Sequence, residues 1–298
     1  MIKGRQHVHT SPEDFHQAGR RLLEVTDLKT HFRTPRGLVR AVDGVSFTLE
    51  RGRTLGLVGE SGCGKSVLSR SIMGLLPHTA QRSGEIDFEG ERLDGLGDAA
   101  LRSYWGTKMA MVFQDPMTSL NPVMRIGKQI SESLEVHTDM DRAQIRETAL
   151  ALLRSVHIPE PERRLKQYPH ELSGGMRQRV VIAVALACGP HLLFADEPTT
   201  ALDVTVQAQI LDLLQEQQHE RDMAVVLVSH DLGVVAGRTH DIAVMYAGQI
   251  VEQAPTATLF SEVRMPYTEA LLRSVPRLEN RSHTRLSVIG GLPPVADV

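Results

Sequence analysis

Residues 59–66 read Gly-Glu-Ser-Gly-Cys-Gly-Lys-Ser, and this stretch restricts what the chain can fold into more than any other. The apolar run Thr54 to Val58 before it predicts a buried parallel strand, and a helix is expected from Val67 to Leu76. Glycines let such a loop fold back until its backbone N–H groups converge on an anion at the helix N-terminus. The pattern therefore predicts a phosphate-binding loop. A flexible glycine turn is the alternative, which the rarity of the pattern disfavours.

Two side chains of this loop have defined chemical roles in the prediction. Lys65 would reach the β- and γ-phosphates of ATP, and the Ser66 hydroxyl would ligate Mg²⁺. Cys63 lies at a helix N-terminus beside Lys65, which predicts a lowered thiol pKa and a reactive cysteine that bound ATP protects. The residues expected to contact the nucleotide are Gly59, Ser61, Gly62, Cys63, Gly64, Lys65, Ser66 and Val67.

Length and composition limit the alternatives. The 298 residues suffice for a full core, which must be mostly aliphatic because aromatic residues make up only 4%. A net charge of -3 gives no global attraction to polyanions, which disfavours nucleic-acid binding over the whole surface without excluding it, and no nucleic-acid partner is predicted. Cys63 and Cys188 are far apart, which predicts no disulfide. The longest apolar run, Val180 to Cys188, has about half of the roughly 20 residues of a membrane-spanning helix, so the chain is not expected to cross a membrane.

Polar side chains follow three further predicted strands. Gln114 comes after the strand Met109 to Phe113, the carboxylates Asp196 and Glu197 end another, and His230 follows a third. Ligands of open α/β sheets bind at the carboxyl ends of the strands, although taken alone Gln114 could be a plain strand end and a lone histidine is more often structural. Asp196 suits a direct or indirect Mg²⁺ ligand, Glu197 a general base for water, and His230 a hydrogen-bond donor to the γ-phosphate.

A second anion site is predicted where a helix, expected over Arg177 to Ala187, begins. Ser173 is a credible N-cap, and Gly174 and Gly175 leave N–H groups exposed at the helix N-terminus. An ordinary capped helix is the alternative. Asp203 is expected to cap a later helix.

Two further stretches lie outside the sheet prediction. Residues 22 to 49 alternate apolar and polar around a turn-like Thr34 to Gly37, which predicts an antiparallel hairpin. Phe32 lies in this layer and is either core or a ring that stacks on adenine. Residues 115–122 predict a loop with exposed Met117 and Leu120.

The strands and helices repeat as βα units, so the fold class is α/β: a P-loop NTPase with a parallel sheet and flanking helices, an antiparallel β-subdomain and a helical subdomain. Residues 1–20 are expected to be a loose tail and residues 21–255 an ATP-binding domain. The helical subdomain is inserted at about 116–187. Residues 256–298 form a C-terminal extension.

The order of the phosphate loop, Gln114, Leu172 to Gly175, Asp196-Glu197, Ala201 to Asp203 and His230 resembles the ATP-binding-cassette (ABC) ATPases over roughly residues 22 to 255. The resemblance implies ATP hydrolysis with Mg²⁺ at Ser66, Gln114 and Asp196. It also implies that Phe32 stacks on the adenine and that Asp203 makes an inter-subunit contact. The implied catalytic residues are Glu197 as the base, His230 as the switch, Gln114 and Lys65. The γ-phosphate of ATP held by a facing subunit would be bound by Ser173, Gly174, Gly175 and Met176.

A narrower resemblance rests on residues 112–122, 173–179 and 266–272, which look like the dipeptide/oligopeptide/nickel importer ATPases. It implies a heterodimer with a second, different ATPase subunit, two membrane permease subunits and an extracytoplasmic solute-binding protein. The location implied is peripheral, on the cytoplasmic face of the cell (inner) membrane. Many relatives carry a cysteine-rich tail that this sequence lacks, so no iron–sulfur cluster is predicted.

Other functions remain open at this point. The solute could be a peptide, nickel or another small molecule. A soluble ABC ATPase acting on nucleic acid or the ribosome would need a coiled-coil insertion, zinc-ligand cysteines or two cassettes, and the sequence shows none. A nucleotide-binding regulator without hydrolysis is opposed by the presence of both Glu197 and His230.

Overall fold

The computed structural model describes residues 21–35, 37–200 and 202–274. Three predicted segments lie wholly or partly outside the described residues: the tail 1–20, Ala201 of the stretch 201–203, and the C-terminal extension beyond residue 274.

The described residues form ten strands, eleven α-helices and one short 3-10 helix, Pro169–Glu171. The strands are β1 (Arg21–Thr34), β2 (Gly37–Glu50), β3 (Thr54–Val58), β4 (Ala80–Phe88), β5 (Glu91–Arg92), β6 (Met109–Val112), β7 (Leu192–Asp196), β8 (Ala224–Ser229), β9 (Asp241–Tyr246) and β10 (Gln249–Pro255). The helices are α1 (Lys65–Met73), α2 (Asp98–Leu101), α3 (Pro116–Ser119), α4 (Ile126–His137), α5 (Arg142–Ser155), α6 (Pro161–Arg164), α7 (Gly174–Ala185), α8 (Val204–Arg221), α9 (Leu232–Val235), α10 (Thr256–Ser261) and α11 (Pro266–Ser274).

The strands form two sheets. One is four-stranded, in the order β2-β1-β4-β5, and its paired strands are antiparallel. The other is six-stranded, in the order β10-β9-β3-β8-β7-β6, and is parallel except for β10. The strands β3, β7 and β8 are buried along their whole length, as expected of a parallel sheet covered on both faces. The predicted α/β fold class and the predicted N-terminal hairpin are confirmed.

The hydrophobic core is divided by the parallel sheet into two clusters. Side chains alternate across a strand, so within β7 Leu193 faces one cluster, whereas Leu192 and Phe194 face the other. The first cluster joins the sheet to the helices α4, α5, α7 and α8, and the second joins it to α1 and the antiparallel sheet. Both clusters are largely aliphatic, as the composition predicts.

The segment between β6 and β7 is helical, from α3 to α7. The predicted apolar face of α5 is buried against α4 and α7, at Ile145, Ala149, Leu152, Leu153 and Val156. Within the described ranges, we find no helix with the length and apolar character needed to cross a bilayer.

The prediction that Leu120 is exposed is wrong. Residues 116–119 form the short helix α3, and Leu120 follows it with only 4% exposure, packed in the cluster of the helical region. Met117, within α3, is 60% exposed. Leu120 is the C-cap residue of α3, and its extended backbone (φ -100°, ψ 134°) takes the chain out of the helix, so its side chain does not follow the direction of Met117.

Two helices begin earlier than predicted. Helix α1 begins at Lys65 and α7 at Gly174, two and three residues ahead of the expected starts at Val67 and Arg177. In both cases the helix takes in residues of the glycine-containing segment that precedes it.

Candidate functional site

Four neighbouring strands deliver the predicted site residues to one edge of the parallel sheet. The order β3-β8-β7-β6 places the phosphate loop beside His230, then Glu197, then Gln114. The strand ends are level, because Val58 pairs with Ser229 and Asp196 pairs with Val228. Residues far apart in the sequence are thereby brought together at the carboxyl edge, where α/β proteins bind ligands.

The phosphate loop leads from β3 directly into α1. Gly64 has φ 109°, and a side chain there would collide with the carbonyl oxygen of Ala41, so only glycine fits. The N–H of Leu68 donates to the Gly64 carbonyl at 2.8 Å, which starts the helical ladder immediately after the loop. The loop and the first turn of α1 thus supply N–H groups at a helix N-terminus, an arrangement that suits phosphate.

Lys65 is only 4% exposed, and its ammonium is held inside the loop. Its Nζ donates to the carbonyl oxygens of Gly59 at 2.7 Å and Glu60 at 2.8 Å. These neutral acceptors satisfy the ammonium without a buried counter-charge, and a phosphate would be a stronger acceptor for the same donors.

Ser66 and Asp196 form a hydrogen-bonded pair at the base of the edge. The Ser66 hydroxyl donates to Asp196 Oδ1 at 2.9 Å, and Asp196 is 1% exposed. Burial raises the pKa of the Asp196 carboxyl, although the Ser66 hydrogen bond opposes this shift. Hydroxyl and carboxylate oxygens form a donor set that fits Mg²⁺, which binds hard oxygen ligands.

Glu197 lies at the centre of a second polar cluster. Its Oε2 accepts from Gln114 Nε2 at 3.2 Å and from Thr200 Oγ1 at 3.0 Å, and lies 3.1 Å from His230 Nδ1. Glu197 has φ 46°, in the left-handed region that costs an L-residue about 1–2 kcal/mol. Asp196 and Glu197, adjacent in sequence, therefore have different partners.

The Glu197 carboxylate also borders open space. A cavity of about 280 Å³ is lined by Glu197, Thr200 and His230, with Leu202 and Gln207 on another side. The His230 side chain is 58% exposed, whereas that of Glu197 is 14% exposed. A carboxylate that is held by donors and yet borders a cavity can accept a proton from a water molecule there.

Thr200 is a further residue of this cluster that the sequence patterns did not predict. The Asp-Glu-Pro-Thr-Thr stretch gave a possible signal, because a hydroxyl three residues after Glu197 can return to it when the chain turns. The structure shows such a turn, with the Thr200 N–H donating to the Glu197 carbonyl at 3.2 Å.

The second predicted anion site lies at the N-terminus of α7. The Ser173 hydroxyl caps the helix by accepting from Met176 N at 3.3 Å, as predicted. Ser173 and Gly174 are exposed, and a Cβ on Gly175 would lie 2.7 Å from Val206 Cγ1. Within the described part of the chain, no hydrogen bond or ion pair joins residues 173–176 to the phosphate loop.

The remaining predicted residues lie around these groups. Asp203 caps α8, accepting from Val206 N at 2.9 Å, and is exposed. Phe32 is half-buried on β1, paired with Val39. Ser61 and Gly62 are exposed in the loop, and Val67 is half-buried in α1.

The predicted low pKa of Cys63 is wrong. Cys63 is only 6% exposed, and burial raises the pKa of its thiol above the ordinary value. The charge of Lys65 lowers the pKa, but this effect is smaller than that of burial. The desolvation of a thiolate in the second core cluster therefore outweighs the neighbouring cation.

We expect Cys63 to react slowly with alkylating reagents. In a Cys188→Ser variant, iodoacetamide at neutral pH should modify Cys63 at least about tenfold more slowly than free N-acetylcysteine. The reason is that little of the Cys63 thiol is ionised and the buried sulfur is poorly accessible to the reagent. The rate should rise with pH as the raised pKa is approached. Modification measured by mass spectrometry at the rate of the free thiol would contradict this expectation.

Comparison with known proteins agrees with the geometry. The fold and the site define a P-loop nucleoside triphosphatase. Residues 42–200 match the family model of the ABC transporter, and residues 251–297 match that of the oligopeptide/dipeptide transporter C-terminal region. The chain belongs to the ABC transporter family, and it is an ATPase of the ABC type.

Several curated relatives are similar over most of their length. A probable peptide ABC transporter ATP-binding protein, y4tR of Sinorhizobium fredii, is 51% identical over 92% of this chain and 82% of its own. The oligopeptide transport protein OppD of Bacillus subtilis is 52% identical over 92% and 77%. The dipeptide transport protein DppD of Escherichia coli is 48% identical over 92% and 84%. The predicted resemblance to the peptide importer ATPases is confirmed.

Solved structures show the same fold. The ABC cassette MJ0796, in a dimeric post-hydrolysis state bound to ADP and Pi, matches with a TM-score of 0.71 and 26% identity, over 79% of this chain and 99% of that one. The cbiO1 protein of Clostridium perfringens matches with a TM-score of 0.69 and 28% identity, over 82% and 92%.

Proposed function

We propose that this chain is the ATP-hydrolysing subunit of a peptide importer, and that residues 59–67 bind the nucleotide. The observation that carries the proposal is Glu197, held by Gln114 and Thr200 beside His230 at the sheet edge that bears the phosphate loop. The C-terminal region and the relatives named for dipeptide and oligopeptide transport support a peptide as the solute.

Binding begins at the phosphate loop. The Lys65 ammonium exchanges its contacts with the Gly59 and Glu60 carbonyls for the β- and γ-phosphate oxygens, which are charged and accept more strongly. The N–H groups of residues 62–67 surround the phosphates, and Phe32 stacks on the adenine. Loop and helix N-terminus are already formed, so little ordering accompanies binding.

Mg²⁺ would be held by Ser66, Asp196 and Gln114, whose oxygen atoms suit it. When bound, it would neutralise charge on the phosphate oxygens. Because Asp196 is buried and its carboxyl pKa is raised, the site favours a cation that compensates its charge.

Hydrolysis needs a base in line with the γ-phosphate. Glu197 Oε2 takes a proton from the attacking water, and the oxygen of that water forms the new bond to phosphorus as ADP leaves. Gln114 and Thr200 hold the carboxylate in position by donating to it. His230, 58% exposed, turns from Glu197 to donate to the γ-phosphate.

A second ATPase completes each site. Residues Ser173 to Gly175, at the N-terminus of α7, form an anion site that has no hydrogen bond or ion pair with this chain's own loop among the described residues. They and Met176 bind the γ-phosphate of ATP held by a different, facing ATPase subunit, and Asp203 contacts that subunit. The resulting heterodimer has two composite ATP sites.

The membrane subunits bind where the site meets the surface. Met117 is 60% exposed, Val123 83% and Phe113 40%, and all three lie within ten residues of Gln114 in the sequence. Arg177 of α7 also contacts the Met117 sulfur, at 2.6 Å. We place the two permeases here, with the chain on the cytoplasmic face of the membrane and the solute supplied by an extracytoplasmic binding protein.

Charge at Met117 should uncouple transport. In a reconstituted transporter, Met117→Glu is expected to lower peptide uptake by at least about tenfold, because a carboxylate replaces a central apolar contact. Basal ATP hydrolysis should be retained. Met140→Glu, the same change at another exposed methionine of the helical region, is the control. Intact uptake with Met117→Glu would remove Met117 from the docking surface.

The function is tested by reconstitution. This chain, its partner ATPase, the permeases and the binding protein would be placed in proteoliposomes with ATP. ATP hydrolysis is expected to rise when the binding protein carries peptide. Stimulation by a nickel-loaded binding protein but not by peptide would refute peptide as the solute, and failure to assemble with permeases would refute the importer.

A further inference from the structure

The phosphate loop is contacted by a side chain of the C-terminal extension. The hydroxyl of Tyr267, in the first turn of α11, accepts a hydrogen bond from the backbone N–H of Glu60 at 3.1 Å. Glu60 is the second residue of the loop, 207 positions earlier in the sequence. The contact therefore joins the extension directly to the loop backbone.

Helix α11 is fixed before it reaches the loop. Glu252 of β10 accepts from the backbone N–H groups of Arg264 at 2.9 Å and Met265 at 3.2 Å, just ahead of the helix. Within α11, Thr268 and Leu271 are buried, with 0% and 6% exposure. The position of the Tyr267 hydroxyl is thus set by the sheet and not by a free chain end.

The Tyr267 ring is also supported from the sheet. It packs on Tyr246, the last residue of β9, with ring centroids 4.5 Å apart and an interplanar angle of 53°. In the turn after β9, the Gly248 N–H donates to the Cys63 carbonyl at 3.0 Å. The loop backbone is therefore held at two points, Cys63 and Glu60.

The hydroxyl is suited to this contact at neutral pH. Burial raises the pKa of Tyr267 to about 12, so the phenol stays protonated and can accept from Glu60 without carrying charge. A neutral acceptor adds no negative charge near the phosphate site.

We propose that Tyr267 is a positioning residue for the phosphate loop, through which the C-terminal extension sets nucleotide affinity. The inference rests on the proposed role of residues 59–67 in nucleotide binding. To bind phosphate, the loop must hold several N–H groups in one geometry. If its backbone is freed at Glu60 and held only at Cys63, the loop can sample other geometries, which bind phosphate less well. A change in how Glu252 holds the start of α11 would also shift Tyr267 and thereby alter the geometry of the loop.

The direct test is Tyr267→Phe, which keeps the ring on Tyr246 and removes only the hydroxyl. We expect the dissociation constant of ADP for the full chain to rise about two- to tenfold, the worth of one neutral hydrogen bond. In the assembled transporter, KM for ATP should rise similarly while kcat is retained. A merely structural role would lower the melting temperature without this split between KM and kcat. The hydroxyl of Tyr246 makes no hydrogen bond to the loop among the described residues, so Tyr246→Phe should leave ADP affinity unchanged.

A second variant tests the route. Glu252→Ala should weaken ADP binding like Tyr267→Phe, and the double variant should bind no more weakly than the weaker single one, because both changes break one pathway. Unchanged affinity in Tyr267→Phe, or effects that add in the double variant, would overturn the inference. Lys65→Ala distinguishes failure of this inference from failure of the proposed function. If Lys65→Ala abolishes ADP binding and Tyr267→Phe leaves it unchanged, only the inference about Tyr267 is refuted. If Lys65→Ala also leaves ADP binding unchanged, the phosphate site itself is refuted.

Discussion

Replacing Glu197 by glutamine should lower ATP hydrolysis by about 10²–10⁴-fold and leave ATP bound. Glutamine has the same size and keeps an oxygen that can accept from Gln114 and Thr200, which now hold Glu197 at 3.2 and 3.0 Å. An amide cannot take the proton of the attacking water. The phosphate loop and Lys65 are untouched, so binding is retained and closed, ATP-loaded pairs of cassettes should accumulate.

The measurement is single-turnover hydrolysis together with the amount of ATP retained after gel filtration. Glu216→Gln is the matched control, since Glu216 lies on α8 with its side chain 42% exposed and pairs only with His157 among the described residues. It should behave as the unchanged protein. Turnover at the unchanged rate in Glu197→Gln would remove Glu197 as the base.

The second large effect is expected from Ser173→Arg. Ser173 is exposed and caps α7, so an arginine there removes the cap and fills the space before the exposed N–H groups. In the heterodimer, hydrolysis at the site formed by the partner's loop should fall about 10- to 100-fold, the worth of one hydrogen bond to a charged group. ATP binding to this chain's own Lys65 should be retained.

To assign the activity to one of the two sites, the Ser173→Arg chain is combined with a partner ATPase that lacks its catalytic base. With the partner's base removed, the remaining activity belongs to this chain's loop and should be insensitive to Ser173→Arg. Ser103→Arg, an exposed serine in the turn after α2, controls for added charge and bulk. Loss of ATP binding to this chain alone would place residues 173–176 in its own site.

The edge of the sheet could be predicted from the sequence because the signals are local. Gln114, Glu197 and His230 each stand two positions after the last buried apolar residue of a strand, and parallel strands bring such ends to one edge. The N-cap at Ser173 was predictable for the same reason, since a cap and its helix are adjacent in sequence.

Burial could not be predicted at the loops. Leu120 and Met117 are three positions apart, yet only the packing of the helical region makes Leu120 core and leaves Met117 on the surface. Cys63 has a cation two residues away, which the sequence shows, but its low exposure follows from its place in the second cluster, among residues distant in the sequence such as Met245. The pKa follows burial, and burial is a property of the whole fold.

Long-range contacts were equally inaccessible. Residues 266–272 indicated a family but not what these residues do in the structure. Nothing in their spacing indicates that Tyr267 contacts the backbone of Glu60. That contact depends on Glu252 holding the start of α11 and on Tyr246 at the end of β9, so it exists only once the sheet is formed.

The shared-site mechanism is tested most directly by the ATPase rate per subunit, measured against protein concentration for this chain alone and with its partner ATPase and permeases. We expect a low rate for the isolated chain and a steep rise on addition of the partner, because each phosphate loop needs the anion site of the facing subunit, which in this chain is Ser173 to Gly175. Full activity of the isolated chain, independent of its concentration, would contradict it.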